Sequence, residues 1–164
     1  MNIRHIASAI LLLAFLPAIS TAASKGEAKG TTDAIAFCID RAAADFGIDS
    51  LILQTIYDVE GGRVGQAVKN TNGSYDLGPM QINTIHLPDL KREFGITRDE
   101  LQNDACTNVY VAALLFSRHY NETKDVASAM ARYHSKTPKY QARYLKALSG
   151  ALDRRLAQIE KAPK

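Results

Sequence analysis

The sequence predicts a predominantly helical α+β domain with one small β-hairpin. Apolar residues recur at three- and four-residue spacings in one segment after another, the period of a buried helix face. One Asn72-Gly73 turn signal, flanked by short extended stretches within Asn70 to Asn83, marks the hairpin. The length of 164 residues, 46% of them hydrophobic, suffices for one well-buried core and falls short of two ordinary domains.

Along the chain, residues 23–32 are small, polar and aperiodic, which predicts a flexible leader before a domain over 33–152. A first helix follows, with Ala34, Ile35, Phe37, Cys38, Ala42 and Phe46 as its apolar stripe and Gly47 as its stop. Asp49 or Ser50 caps a second helix that sets Leu53, Ile56, Tyr57 and Glu60 on one face, and Gly61-Gly62 end it. In the hairpin segment, Pro79 excludes a central strand. Thr97-Arg98-Asp99-Glu100 is a capping box opening a short helix. Asp104 caps a longer helix through Val109, Ala113 and Phe116, and Asp125 starts another through Val126, Ala129, Met130 and Tyr133. Thr137 or Pro138 opens the last helix, with Tyr140, Tyr144, Leu145, Leu148 and Leu152 as its stripe. A charged tail, 153–164, is expected to fray.

Charge and cysteine count narrow the setting. A net charge of +3, spread along the chain, does not form the basic stripe of a nucleic-acid module, so no nucleic-acid partner is expected. Residues 1–22 have the pattern of a signal peptide: Arg4, an apolar run from Ile6 to Ile19, then small residues through Ala22. An uncleaved anchor is the alternative, but the run is shorter than the roughly 20 residues of a spanning helix, and Pro17 interrupts it. Cleavage would leave an exported chain with no membrane span. Its two cysteines, Cys38 and Cys106, are then expected to form a disulfide, with two buried free thiols as the alternative.

Most familiar chemistries lack their residues. His86, His119 and His134 follow no metal-ligand spacing, and Ser135 beside His134 sits in no nucleophile elbow, so neither a metal site nor a Ser-His nucleophile is expected. Asn70-Thr71-Asn72-Gly73 lacks the opening Asp and the distant bidentate Glu of a calcium loop. Glu60 stands apart. It ends an apolar helix face beside Gly61-Gly62, which would let a ligand approach the backbone. Desolvation there would raise its pKa toward that of a neutral-pH proton donor. A solvated or paired helix-end Glu is the plainer alternative.

Three ordered motifs carry a resemblance: Glu60-Gly61-Gly62, the run NTNGSYDLGPMQIN from Asn70 to Asn83, and Ala131-Arg132-Tyr133-His134. Together they resemble the soluble lytic transglycosylase domain, lysozyme-like enzymes that cleave peptidoglycan glycan strands. Residues 33 to 150 most resemble the small exported transglycosylases of conjugation, type IV and type III secretion systems, where His86-Leu87-Pro88 and the Asp104 helix start recur. The resemblance implies a periplasmic monomer without cofactor, acting on glycan strands and working with such an apparatus. It implies Glu60 as the single catalytic acid and base, with Tyr133 reaching toward its carboxyl. Met80 and Gln81 would line the reacting sugar's subsite, joined by Asn70, Asn72 and His134. Gly61, Pro79 and the Arg132-Tyr133-His134 run depart from the family's usual Ser, Leu and Ala-Tyr-Asn.

The same run also resembles the NTDGSTDYGILQIN pattern of c-type lysozymes, in which the residue matching Asp76 is a second catalytic carboxylate. Two enzymatic expectations follow. One is a lytic transglycosylase that leaves 1,6-anhydro ends, with Asp76 supporting. The other is a muramidase using Glu60 with Asp76. A non-catalytic glycan-binding assembly factor is the distant third, and a turn role is the plain alternative for Asp76.

Overall fold

The computed structural model describes residues 26–161, with side chains from Thr32 onward. The expected signal peptide, 1–22, lies outside the described residues. The first helix, α1 (Gly26–Phe46), starts six residues before the Thr32 boundary. Glu27, Ala28 and Lys29 favour helix, so the segment expected as a leader is helical from Gly26. Its buried face is Ile35, Cys38, Ile39, Ala42 and Ala43. Phe37, expected on that stripe, is instead 62% exposed with the Arg41 guanidinium over its ring, because it falls one residue off the repeat.

Asp49 caps α2 (Ser50–Glu60) by accepting from the Leu51 N–H at 2.9 Å, and Gly61 closes it at φ +61°. The hairpin segment is richer than expected. Strand β1 (Ala67–Lys69) pairs antiparallel with β2 (Tyr75–Leu77), and β2 pairs in turn with β3 (Ile82–Asn83), giving a three-stranded sheet. Pro79 lies in the turn between β2 and β3, where its missing N–H disrupts no ladder. A two-residue strand carries too little alternation to be recognised locally; the pairings Asp76 with Asn83 and Leu77 with Ile82 define it.

After a 3₁₀ turn over Thr84–His86 comes α3 (Leu87–Phe94), which has no counterpart among the expected elements. Pro88 at its first turn is compatible with helix, and Gly95 at φ +74° caps it. The capping box of α4 (Arg98–Asn103) forms as expected, with both Thr97–Glu100 exchanges present. Asp104 caps α5 (Ala105–Thr123) and Asp125 caps α6 (Val126–His134). The last helix, α7 (Pro138–Lys161), continues straight through the segment expected to fray. Arg155 accounts for this: its guanidinium donates to both Asp58 carboxylate oxygens and to Gln54 on α2.

The core surrounds α5, whose Val109, Val111, Ala112, Ala113, Leu115 and Phe116 are buried and which packs against α1 and α6. A disulfide joins Cys38 on α1 to Cys106 at the start of α5. Helix α7 packs on both α2 and α6, and it thereby approaches the residue that ends α2. No helix among the described residues is long and apolar enough to cross a membrane.

Candidate active site

The end of α2 delivers Glu60 to a partly buried position, where the Tyr144 hydroxyl of α7 donates to Oε1 at 2.6 Å. Burial, opposed in part by that hydrogen bond and reinforced by the nearby negative charge of Asp76, pushes the Glu60 carboxyl up from 4.5 to about 7. Tyr144 is itself buried, and burial together with the charge of Glu60 pushes its hydroxyl far up, so it remains a donor. Its ring stacks on His134, centroids 4.6 Å apart and planes 4° from parallel. The stack ties the end of α6 to the residue that holds Glu60. Partial desolvation lowers the His134 pKa below the usual imidazole value.

Tyr144 was legible only as a member of an apolar stripe. A Tyr facing a buried carboxyl across 84 residues leaves no local signal. Tyr133, by contrast, does not hydrogen-bond Glu60: its hydroxyl donates to the Met80 carbonyl at 2.8 Å. Burial, then the charges of Glu60 and Asp76, hold its pKa well above the usual tyrosine value, so it too stays protonated near both carboxylates.

Asp76 sits mid-strand on β2 with both oxygens engaged. Asn83 donates to Oδ1 at 2.7 Å from its cross-strand position, and Asn70 donates to Oδ2 at 3.0 Å. The same two amides reach the Ser74 hydroxyl at 3.2 and 3.1 Å. Asn72 serves the turn, its Oδ1 accepting from the Ser74 N–H and hydroxyl, and it is exposed. The sequence points to Asn70 but not to Asn83, whose place opposite Asp76 comes only from the β2–β3 pairing.

Met80 does not line a subsite with its side chain, which is 0% exposed. The Met80 backbone is held on both sides: its N–H donates to Asn108 Oδ1 at 2.8 Å and its carbonyl accepts from Tyr133. Gln81, next along, adopts φ +50°, a left-handed conformation rare outside glycine, and its side-chain amide donates to the Gly78 carbonyl at 2.8 Å. Gly62 is needed for a reason other than ligand approach. A Cβ there would land on the Gly78 carbonyl and 2.6 Å from Gln81 Nε2, so the protein's own Gly78–Gln81 turn occupies that space. Among the described residues, no three His, Cys, Asp or Glu side chains converge as a metal site.

A helical domain with a small three-stranded sheet, in which a partly buried carboxyl raised to about 7 feels the charge of a carboxylate held by two amides, is consistent with a lysozyme-like fold. The family model described as the transglycosylase SLT domain matches residues 37–151, and the chain belongs to that family. Among curated relatives, it is 40% identical over 81 residues to Protein IpgF of Shigella flexneri, covering 49% of this chain and 53% of that protein. It is 39% identical over 81 residues to Invasion protein IagB of Salmonella typhimurium strain SL1344, covering 49% and 50%. A Peptidoglycan-binding-like protein of Escherichia coli O157:H7 is 27% identical over 106 residues, covering 60% and 63%. The chain thus spans about half the length of IpgF and IagB.

Proposed function

We propose that this chain is a peptidoglycan lytic transglycosylase that cleaves the β-1,4 bond between N-acetylmuramic acid and N-acetylglucosamine. The raised Glu60 carboxyl, held by Tyr144, carries the proposal: a pKa of about 7 leaves it able to give a proton and then take one near neutral pH. Glu60 protonates the glycosidic oxygen as the bond to the muramoyl anomeric carbon breaks, and the sugar's 2-acetamido group stabilises the cation. The Glu60 carboxylate then takes the proton of the same sugar's 6-hydroxyl, whose oxygen bonds to the anomeric carbon and closes a 1,6-anhydro ring. An internal nucleophile at an effective concentration of about 10⁵ M or more needs no second carboxylate to activate water.

In this reading Asp76 orients the sheet and supports the developing cation. The engagement of both its oxygens by Asn70 and Asn83 favours that over a nucleophilic role. Gln81 and His134 contact the glycan. Asn70 acts through Asp76, and Tyr133 acts by fixing the Met80 backbone. The disulfide suits an exported, periplasmic monomer. The similarity to a protein named for invasion supports local wall opening for a secretion or conjugation apparatus.

Digestion of purified sacculi followed by mass spectrometry tests the reading. Each new muramoyl terminus should lack one water, and Glu60→Gln should lower the rate by at least about a hundredfold. Reducing termini throughout would instead make the chain a muramidase that pairs Asp76 with Glu60. A Glu60→Gln chain that cleaves at the parent rate would remove Glu60 from the chemistry.

A further inference from the structure

The Tyr144 ring that holds Glu60 has one face committed to another side chain. The His134 imidazole lies against it with centroids 4.6 Å apart and planes 4° from parallel, at the close end of the roughly 4.5–7 Å range of stacked rings. Tyr144 is 5% exposed whereas His134 is exposed, so the imidazole stands between the tyrosine ring and solvent. His134 is the last residue of α6, and Tyr144 lies near the start of α7. The short link between these helices is tied as well, because the Gln141 amide donates to the Ser135 carbonyl at 3.0 Å. The corner that presents the imidazole is thereby fixed from both helices.

We propose that His134 is a positioning residue for the cleavage reaction, acting through Tyr144 by fixing the direction of the hydroxyl that donates to Glu60. The inference rests on the reading of Glu60 as the glycan-cleaving acid. A tyrosine hydroxyl stands at the far end of its ring, so a tilt that carries the oxygen by about 1 Å takes the 2.6 Å bond to Glu60 beyond the roughly 2.5–3.0 Å range of O–H···O bonds. A ring packed face to face against Tyr144 leaves no room for that tilt on its side. With Oε1 accepting from Tyr144, the transferable proton of Glu60 sits on Oε2, and its direction follows that of the tyrosine hydroxyl. Misplacing a reacting group by about 1 Å costs up to about a hundredfold in rate. The charges that face His134 are Asp76 from β2 and Arg143 from α7, of opposite sign. They act on the imidazole nitrogens, whereas the positioning is done by the ring face, so a phenyl ring should serve in its place.

The test compares the full chain with its His134→Ala and His134→Phe variants on purified sacculi, and follows the Glu60 titration by NMR of carboxyl-labelled glutamates, with Glu60→Gln identifying the signal. His134 is exposed, so both variants should fold. The Tyr144 bond holds the Glu60 carboxyl lower than burial alone would leave it. His134→Ala should therefore lower kcat about tenfold, the effect of a loosened catalytic hydrogen bond, and should move the Glu60 titration to higher pH. The kcat/KM profile, which reports the free enzyme, should shift with it. His134→Phe should restore both kcat and the titration to those of the parent. A Glu60 titration unmoved by His134→Ala would overturn the proposal, as a stack that only stabilises the α6–α7 corner leaves the carboxyl as it was. A loss confined to KM would overturn it too, since that is the mark of a glycan contact alone. So would a His134→Phe chain that behaves like His134→Ala. Should the parent cleave no glycan, the reading of Glu60 as the acid falls, and the NMR titrations of the three chains still decide whether His134 acts on Glu60 through Tyr144.

Discussion

At Glu60 the side chain proposed as the acid also carries a cost to the fold. Below about pH 4.5 its carboxyl is protonated in folded and unfolded chains alike, so burial carries no ionic penalty. As pH rises toward about 7, the unfolded chain releases its proton while the folded one keeps it, and stability declines through that window. Above about pH 7 the full penalty of roughly 3 kcal/mol is present. Glu60→Gln retains an oxygen to accept from Tyr144 and never ionises. It should therefore be more stable than the parent by about 2–3 kcal/mol at pH 8 and equally stable near pH 4. Urea unfolding of both proteins at both pH values measures this, and a difference independent of pH would mean that Glu60 is not desolvated.

Among the elements, the turn between β2 and β3 is held by one residue of α5. Asn108 is fully buried: its Oδ1 accepts from the Met80 N–H, and its amide donates to the Leu77 and Leu101 carbonyls at 2.8 and 2.7 Å. Gly78 makes the approach possible, since a Cβ there would collide with the Asn108 amide and the Leu101 carbonyl, and φ +68° favours glycine besides. Asn108→Ala would remove three buried hydrogen bonds to the backbone and should cost about 3 kcal/mol by denaturant unfolding. It should also reduce turnover, because Met80 and Gln81 lose their anchor to α5. Full activity in this variant would show that the turn holds its shape unaided. The caps at Asp49, Thr97, Asp104 and Asp125 were legible because each acts within three residues. Asn108 was not, because its partners lie up to 31 residues away.

For the whole molecule, the disulfide closes 68 residues of sequence that contain Glu60, Gly62, Asp76 and Gln81, whereas Tyr133 and Tyr144 lie beyond it. A loop of that length restricts the unfolded chain by about 4 kcal/mol in the chain-entropy model. Replacing Cys38 and Cys106 with serine should therefore lower stability by about 2–4 kcal/mol, seen as a fall in Tm that reductant reproduces in the parent. An unchanged Tm would mean that packing of α1 on α5 alone holds that half of the site.

The sequence by itself determined the mostly helical α+β class, the starts of α2, α4, α5, α6 and α7, and the cysteine pair, and it drew attention to Glu60, because caps, periodicity and a carboxyl ending an apolar face are local patterns. The third strand and α3 were too short or too weakly patterned to stand out, and pairing with β2 and capping by Gly95 define them. Only the tertiary structure decided that Tyr144 rather than Tyr133 holds Glu60, that Met80 contributes its backbone, and that Arg155 keeps α7 helical past Asp153. Each of these depends on which faces of α2, α6 and α7 meet. That choice is made by burial across the whole core, which no window of sequence contains.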